Sequence, residues 1–255
     1  MIYQFQLIRN FNIIIIAKKL IIMNISKIAN ELRDGIQHGI YRIINPMVKL
    51  MIKLGITPNM VTTIGLIGNL VASVLFVYSA LYVPANDYSV VGIAGAVILF
   101  ASLFDMVDGY LARTADLTST FGAFYDSVLD RYCELFTLSA ICFYFMRHGH
   151  DFATIVLFLS IIGSIMVSYI RARAEGLDVE CKVGLMQRPE RVVLTSLGAI
   201  LCGICAEAVE NTFSPLWFLL FPQILIAILG NYTAFIRIHH VYKNIKKSEC
   251  GDTEL

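Results

Sequence analysis

Six stretches of this chain stay apolar for about the twenty residues a helix needs to cross a bilayer, at about 1.5 Å of rise per residue through about 30 Å of hydrocarbon. They run Val61–Val83, Val90–Ala112, Ala123–Met146, Phe152–Ala172, Val192–Val209 and Phe213–Ile236. Hydrophobic residues make up 57% of the chain and charged residues only 15%, so the natural solvent for most of it is lipid. The expected fold is all-α and integral to a membrane, with six transmembrane helices.

With a net charge of +1 there is no global pull toward nucleic acid, and the placement of Lys and Arg becomes a statement about topology. The connections Pro84–Tyr88 and Glu210–Thr212 carry no basic residue and Arg147–Asp151 carries one. The stretch before Val61, the turn with Arg113, the loop Arg171–Arg191 and the tail after Arg237 hold the rest. Both termini and the basic loops are therefore expected in the cytosol, with the protein in the cytoplasmic membrane. Ahead of the first span, Ile36, Ile40, Ile43, Ile44, Met47, Val48, Met51 and Leu54 recur at helical spacing among Arg42, Lys49 and Lys53, as in an amphipathic helix lying in the interface. Thr57-Pro58 then reads as an N-cap followed by proline at the first helical position. Further upstream, Ile13–Ile16 between Arg9 and Lys18-Lys19 is too short to span and makes a poor signal peptide, and Met23 is an equally good start. The chain divides into an extension (1–22), a juxtamembrane amphipathic region (23–56), a six-helix domain (57–240) and a polar tail (241–255). Its six cysteines are scattered, and the Cys202/Cys205 pair lacks the two further ligands of a zinc site, so packing is the better account of it.

The anomaly is acid inside the apolar runs: Asp105, Asp108, Asp126 and Asp130 fall at or within predicted spans. A carboxylate at mid-membrane costs roughly 2.5–3.5 kcal/mol on insertion scales, so such groups face a cavity, pair, or bind an ion. Asp105, Asp108, Gly109, Ala112 and Arg113 share one helix face, and Asp126 and Asp130 lie one turn apart on the next helix. Four carboxylates converging across a helical hairpin repel strongly unless cations lie between them, and their oxygens suit Mg²⁺ or Mn²⁺, two ions being the natural count. Gly109, Ala112 and Gly122 leave a surface on which a base, sugar or phosphate can approach the backbone, and Arg113 adds a bidentate phosphate donor. Taken singly, those small residues would be explained by close helix packing.

Asp105-x2-Asp108-Gly109-x2-Ala112-Arg113-x8-Gly122-x3-Asp126-x3-Asp130 resembles the signature of the CDP-alcohol phosphotransferases, also called CDP-alcohol phosphatidyltransferases. The resemblance implies two metal ions held by Asp105, Asp108, Asp126 and Asp130, and CDP bound by Asp108, Gly109, Ala112, Arg113 and Gly122. It also implies Asp130 as the base on the acceptor hydroxyl, and a homodimer. The substrate would be a CDP-linked lipid such as CDP-diacylglycerol, with CMP as the leaving group.

IRARAE and QRPER in the loop after the fourth span, with Arg237 in FIRIHHVY, are similar to the phosphatidylinositol-phosphate synthase branch. That likeness implies inositol phosphate as acceptor, its phosphate held by Arg171, Arg173, Arg191 and Arg237, with Arg188 assigned to support of the loop. Glycerol 3-phosphate and free inositol are the alternatives within the family. An ion-coupled transporter is the alternative outside it, disfavoured because nothing in transport requires Arg113 beside small residues and a cytosolic arginine cluster. Asn69 reaches either the nucleotide or a neighbouring helix. His148, His150 and Asp151 are read as a solvated turn.

Overall fold

The structure, a computed structural model, describes residues 45–209 and 211–251. The N-terminal extension, Met23, most of the juxtamembrane pattern (Ile36 to Ile44) and the last residues of the tail lie outside the described residues. The chain forms two units, 1–56 and 57–255. In the first, helix α1 spans residues 45–53 and ends on Gly55, whose φ of +69° suits glycine. Ile56 N–H donates to the Met51 carbonyl and Gly55 N–H to that of Ile52, the Schellman pattern.

The second unit is a succession of helices: α2 (Pro58–Tyr82), α3 (Ser89–Thr114), α4 (Thr120–Arg147), α5 (Asp151–Glu175), α6 (Arg188–Ile204), the single turn α7 (Ala206–Val209) and α8 (Leu216–Gly251). Among the described residues there is no strand. Local chemistry sets the starts: Thr57 Oγ1 accepts from Met60 N–H ahead of Pro58, and Ser119 Oγ accepts from Gly122 N–H at 3.0 Å. α2, α3, α5 and α8 are long and apolar enough to cross a membrane. The six-span expectation thus meets four helices that satisfy it by length and composition. α4 falls short because Asp126, Asp130, Arg131 and Glu134 interrupt its apolar run, and α6 has only 17 residues.

Helix α2 packs on α3 and α4, α3 on α6, and α8 on α5 and α6. Small residues set how close these pairs come. A Cβ added at Gly95 would lie 2.6 Å from the Ala199 Cβ and 2.8 Å from the Ser196 carbonyl, and one at Gly92 would lie 2.9 Å from the Gly203 Cα. Inside α8, Pro222 has no N–H to give the Phe218 carbonyl, and Gly198 of α6 packs against that oxygen. Gln223 Nε2 donates to Thr195 Oγ1 at 3.0 Å and the Gln223 main-chain carbonyl accepts from Ser160 Oγ at 2.9 Å, tying α8 to α6 and α5 through buried polar groups. Large apolar side chains line the exterior, including Ile64, Val71, Phe158, Ile162, Trp217 and Phe221, as lipid-facing surfaces require.

Candidate active site

Register explains how the site assembles. The antiparallel contact of α3 and α6 is fixed at Gly92/Gly203 and Gly95/Ala199. Ten residues onward along α3 lies Asp105, and eleven residues back along α6 lies Arg188; both paths cover about 15–17 Å. The two side chains meet accordingly: Arg188 Nη1 lies 2.8 Å from Asp105 Oδ2 and 2.6 Å from Asp130 Oδ1. One turn deeper, Arg191 of α6 grips Glu134 of α4 through Nε and Nη2, the latter at 2.9 Å, and its Nη1 donates to the Met186 carbonyl at 3.1 Å. Beneath these pairs a cavity of ≈ 20 Å³ is lined by Asn69, Ser102, Asp105, Glu134, Arg188 and Arg191, room for about one water. Asn69 bonds the Gly65 carbonyl of its own helix, so it reaches neither the nucleotide face nor a neighbouring helix through that bond.

The other two aspartates open onto a second cavity, of ≈ 230 Å³, whose walls include Asn59, Thr62, Asp108, Gly109, Ala112, Arg113, Gly122 and Asp126. Asp108 is buried, and its Oδ2 accepts from Thr62 Oγ1 at 2.6 Å, which fixes the carboxylate's orientation. Asp126 is close enough to repel the charges of Asp105, Asp108 and Asp130, so the four form one electrostatic cluster. Among the described residues, no three His, Cys, Asp or Glu side chains form a ready metal-ligand set. The donors nevertheless fit a hard cation: they are carboxylate oxygens on facing helices, and a guanidinium already stands as a cation between two of them.

The two glycines of this cavity differ in kind. A Cβ on Gly122 would press on Ser119 Oγ at 3.0 Å and Asn59 Oδ1 at 3.3 Å. A Cβ on Gly109 would meet only the Arg113 guanidinium, at 3.6 Å. Packing therefore does not require glycine at 109, whereas keeping the cavity wall clear does.

The predicted acceptor arginines divide. Arg237 lies within electrostatic range of Arg171, Arg191 and Arg131, and Arg131 also feels Arg188 and Arg191. Arg173 is exposed. Arg191 and Arg237 are 2% and 3% exposed, and their donors serve the protein: Arg237 Nε donates to the Val183 carbonyl at 2.8 Å and Nη1 to that of Val167. Arg171 pairs with Glu175 at 2.8 Å on a more open face. Arg237, with Thr233 Oγ1 accepting from Met186 N–H and His240 bonding the Glu180 carbonyl, straps the α5–α6 loop to α8. Arg131, Glu134 and Thr62 belong to the site without standing out in the sequence, and Arg188, expected there only to support the loop, lies between two of its aspartates. Arg131 and Glu134 carried a signal, since they continue the polar run of α4 directly beyond Asp130.

Residues 55–236 match the profile of the CDP-alcohol phosphatidyltransferase family. The chain belongs to this family. It is a membrane transferase, and its family members include similar curated proteins. One is an archaetidylinositol phosphate synthase of Methanothermobacter thermautotrophicus, 35% identical over 155 residues, 60% of this chain and 72% of that one. Another is a phosphatidylinositol phosphate synthase of Mycobacteroides abscessus, 31% identical over 163 residues, 64% of this chain and 70% of that one. The fold is similar to the crystal structures of Mycobacterium tuberculosis phosphatidylinositol phosphate synthase at 26% identity. The complex with manganese and citrate gives a TM-score of 0.67 over 78% of this chain and 88% of that one. The form with CDP-DAG bound gives 0.66 over 79% and 94%.

Proposed function

We propose that this chain transfers a phosphatidyl group from a CDP-linked lipid to inositol phosphate, releasing CMP, at the cytosolic face of the cytoplasmic membrane and as a homodimer. The observation that carries the acceptor assignment is a run of arginines that begins at the aspartates: Arg188 on Asp105 and Asp130, Arg131 within range of Asp130, Arg188 and Arg191, and Arg237 within range of Arg131, Arg171 and Arg191. So many guanidinium groups in one low-dielectric region repel one another, and an anionic acceptor relieves that repulsion. The names of the relatives, and the CDP-DAG bound to the mycobacterial protein, support the same substrates.

In this reading the cytidine and pyrophosphate lie along Asp108, Gly109, Ala112, Arg113 and Gly122, with the lipid tails in the bilayer. Asp105, Asp108, Asp126 and Asp130 would hold two divalent ions, Mg²⁺ or Mn²⁺, which when bound neutralise charge on the pyrophosphate and on departing CMP. The Asp130 carboxylate takes the proton of the acceptor hydroxyl as that oxygen bonds the lipid-linked β-phosphorus and the bond to CMP breaks. Arg171 and Arg173 meet the acceptor phosphate at the open face, while buried Arg191 and Arg237 act on it by field and by fixing the loop. All six long helices cross the membrane, a reading supported on α6 by Val193, Leu197, Leu201 and Ile204, an exposed apolar stripe one turn apart.

Purified protein given CDP-diacylglycerol should turn over rapidly with inositol phosphate and poorly with inositol or glycerol 3-phosphate, and exhaustive chelation should stop it. Preference for free inositol would overturn the acceptor assignment. Full turnover after metal stripping would overturn the role given to the aspartates.

A further inference from the structure

Two arginines one turn apart on α6 bind carboxylates in contrasting ways. Arg191 holds Glu134 as a two-pronged fork and adds a backbone carbonyl, the arrangement a guanidinium adopts when it is a permanent structural partner. Arg188 puts a single nitrogen, Nη1, between Asp105 and Asp130, as a point cation would sit, and its buried Nε has no partner. Its position is set by charge rather than by the geometry of its donors. Arg188 is also the first residue of α6, after Gln187, whose side chain makes no capping bond.

We infer that Arg188 is an internal counter-ion that stands in for a divalent cation between Asp105 and Asp130, and that loading the site requires its side chain to swing away. The inference rests on the two-ion reading above and assigns Arg188 a role beyond it. The competition is for one position: a divalent ion bridging the facing oxygens of Asp105 and Asp130 would occupy the place of Arg188 Nη1, which lies 2.8 and 2.6 Å from them, and two like charges cannot stand there together. The backbone need not move. Met186 is held by Thr233 and Arg191, and Arg191 by Glu134, so the residues on either side of Arg188 are pinned and the change is a side-chain rotation. The same contact ties α3, α4 and α6 together.

The test compares metal-stripped parent, Arg188→Gln and Arg188→Lys by Mn²⁺ titration, reading free Mn²⁺ by electron paramagnetic resonance, and by thermal melting with and without Mn²⁺. Removing the competing charge should tighten Mn²⁺ binding by Arg188→Gln about tenfold or more. Metal-free Arg188→Gln should melt below metal-free parent, with Mn²⁺ closing the gap. Lysine, a point charge on a shorter reach, should fall between the two. If Arg188→Gln cannot be recovered folded, tighter binding by Arg188→Lys than by parent carries the inference. Binding by the variants equal to or weaker than parent overturns it. If neither parent nor variants bind Mn²⁺, the metal reading itself fails and takes this inference with it.

Discussion

At the scale of single residues, the site separates groups that do chemistry from groups that hold it in place. Asp130 touches Arg188 and is cast as the base, with the other three aspartates as principal metal ligands. Asp130→Asn should therefore lower transfer by about 10²–10⁴-fold or more while CDP-lipid binding largely persists, measured by turnover beside equilibrium binding of the nucleotide. Near-normal turnover would rule Asp130 out as base. Arg191 makes a different prediction, because its guanidinium and Glu134 are both buried. Glu134→Gln or Arg191→Ala leaves one charge buried without its partner, which costs about 3–5 kcal/mol, whereas replacing both by apolar residues should recover much of the loss. Thermal denaturation in detergent reads this directly. If either single variant were as stable as the parent, the pair would not be the clamp that fixes α6 against α4.

At the scale of helices, glycine does two jobs that one pair of substitutions pulls apart. Gly95 is where α3 meets α6, and Gly95→Leu drives a side chain into Ala199 and the backbone of α6. Overpacking of this kind costs about 1–3 kcal/mol and shifts the register that brings Arg188 to Asp105. Gly109→Ala meets only Arg113, so stability should hold or rise by about 0.5–1 kcal/mol from the helix preference of alanine, while the KM for CDP-lipid rises. A large loss of stability in Gly109→Ala with unchanged KM would contradict the division. The same contrast shows what was legible in the sequence. The faces of α3 and α4 that carry Asp105, Asp108, Asp126 and Asp130 follow from helical spacing alone, and the Thr57-Pro58 start of α2 follows from capping chemistry. The pairings Arg188–Asp105 and Arg191–Glu134 do not, because they depend on how far α6 slides along α3 and α4, which is decided by non-local contacts such as Gly92/Gly203. That Arg191 and Arg237 are buried is hidden for the same reason: positive-inside loops look alike in sequence whether their arginines point outward or brace the fold.

At the scale of the whole molecule, α4 and α6 decide the topology, because α2, α3, α5 and α8 meet the apolar criterion for crossing without them. Geometry favours crossing. Asp105 lies toward the C-terminal end of α3, Asp130 in the N-terminal half of α4 and Arg188 at the first turn of α6, and the three meet, so these ends lie at one face. With six spans, the α5–α6 loop falls at that face with the α3–α4 turn, and the α2–α3 turn falls at the other. If α4 and α6 failed to cross, α5 would carry its C-terminal loop to the same side as the α2–α3 turn. Asn86 and Lys182, both exposed in their connections, distinguish the two arrangements. In a background freed of its six native cysteines, Asn86→Cys should react with a membrane-impermeant maleimide added to intact cells, and Lys182→Cys only once the membrane is opened. Labelling of both from outside would leave four spans and remove the basic loop from the cytosol. It would also part Arg188 from Asp105 by the thickness of the bilayer, a separation incompatible with a 2.8 Å ion pair.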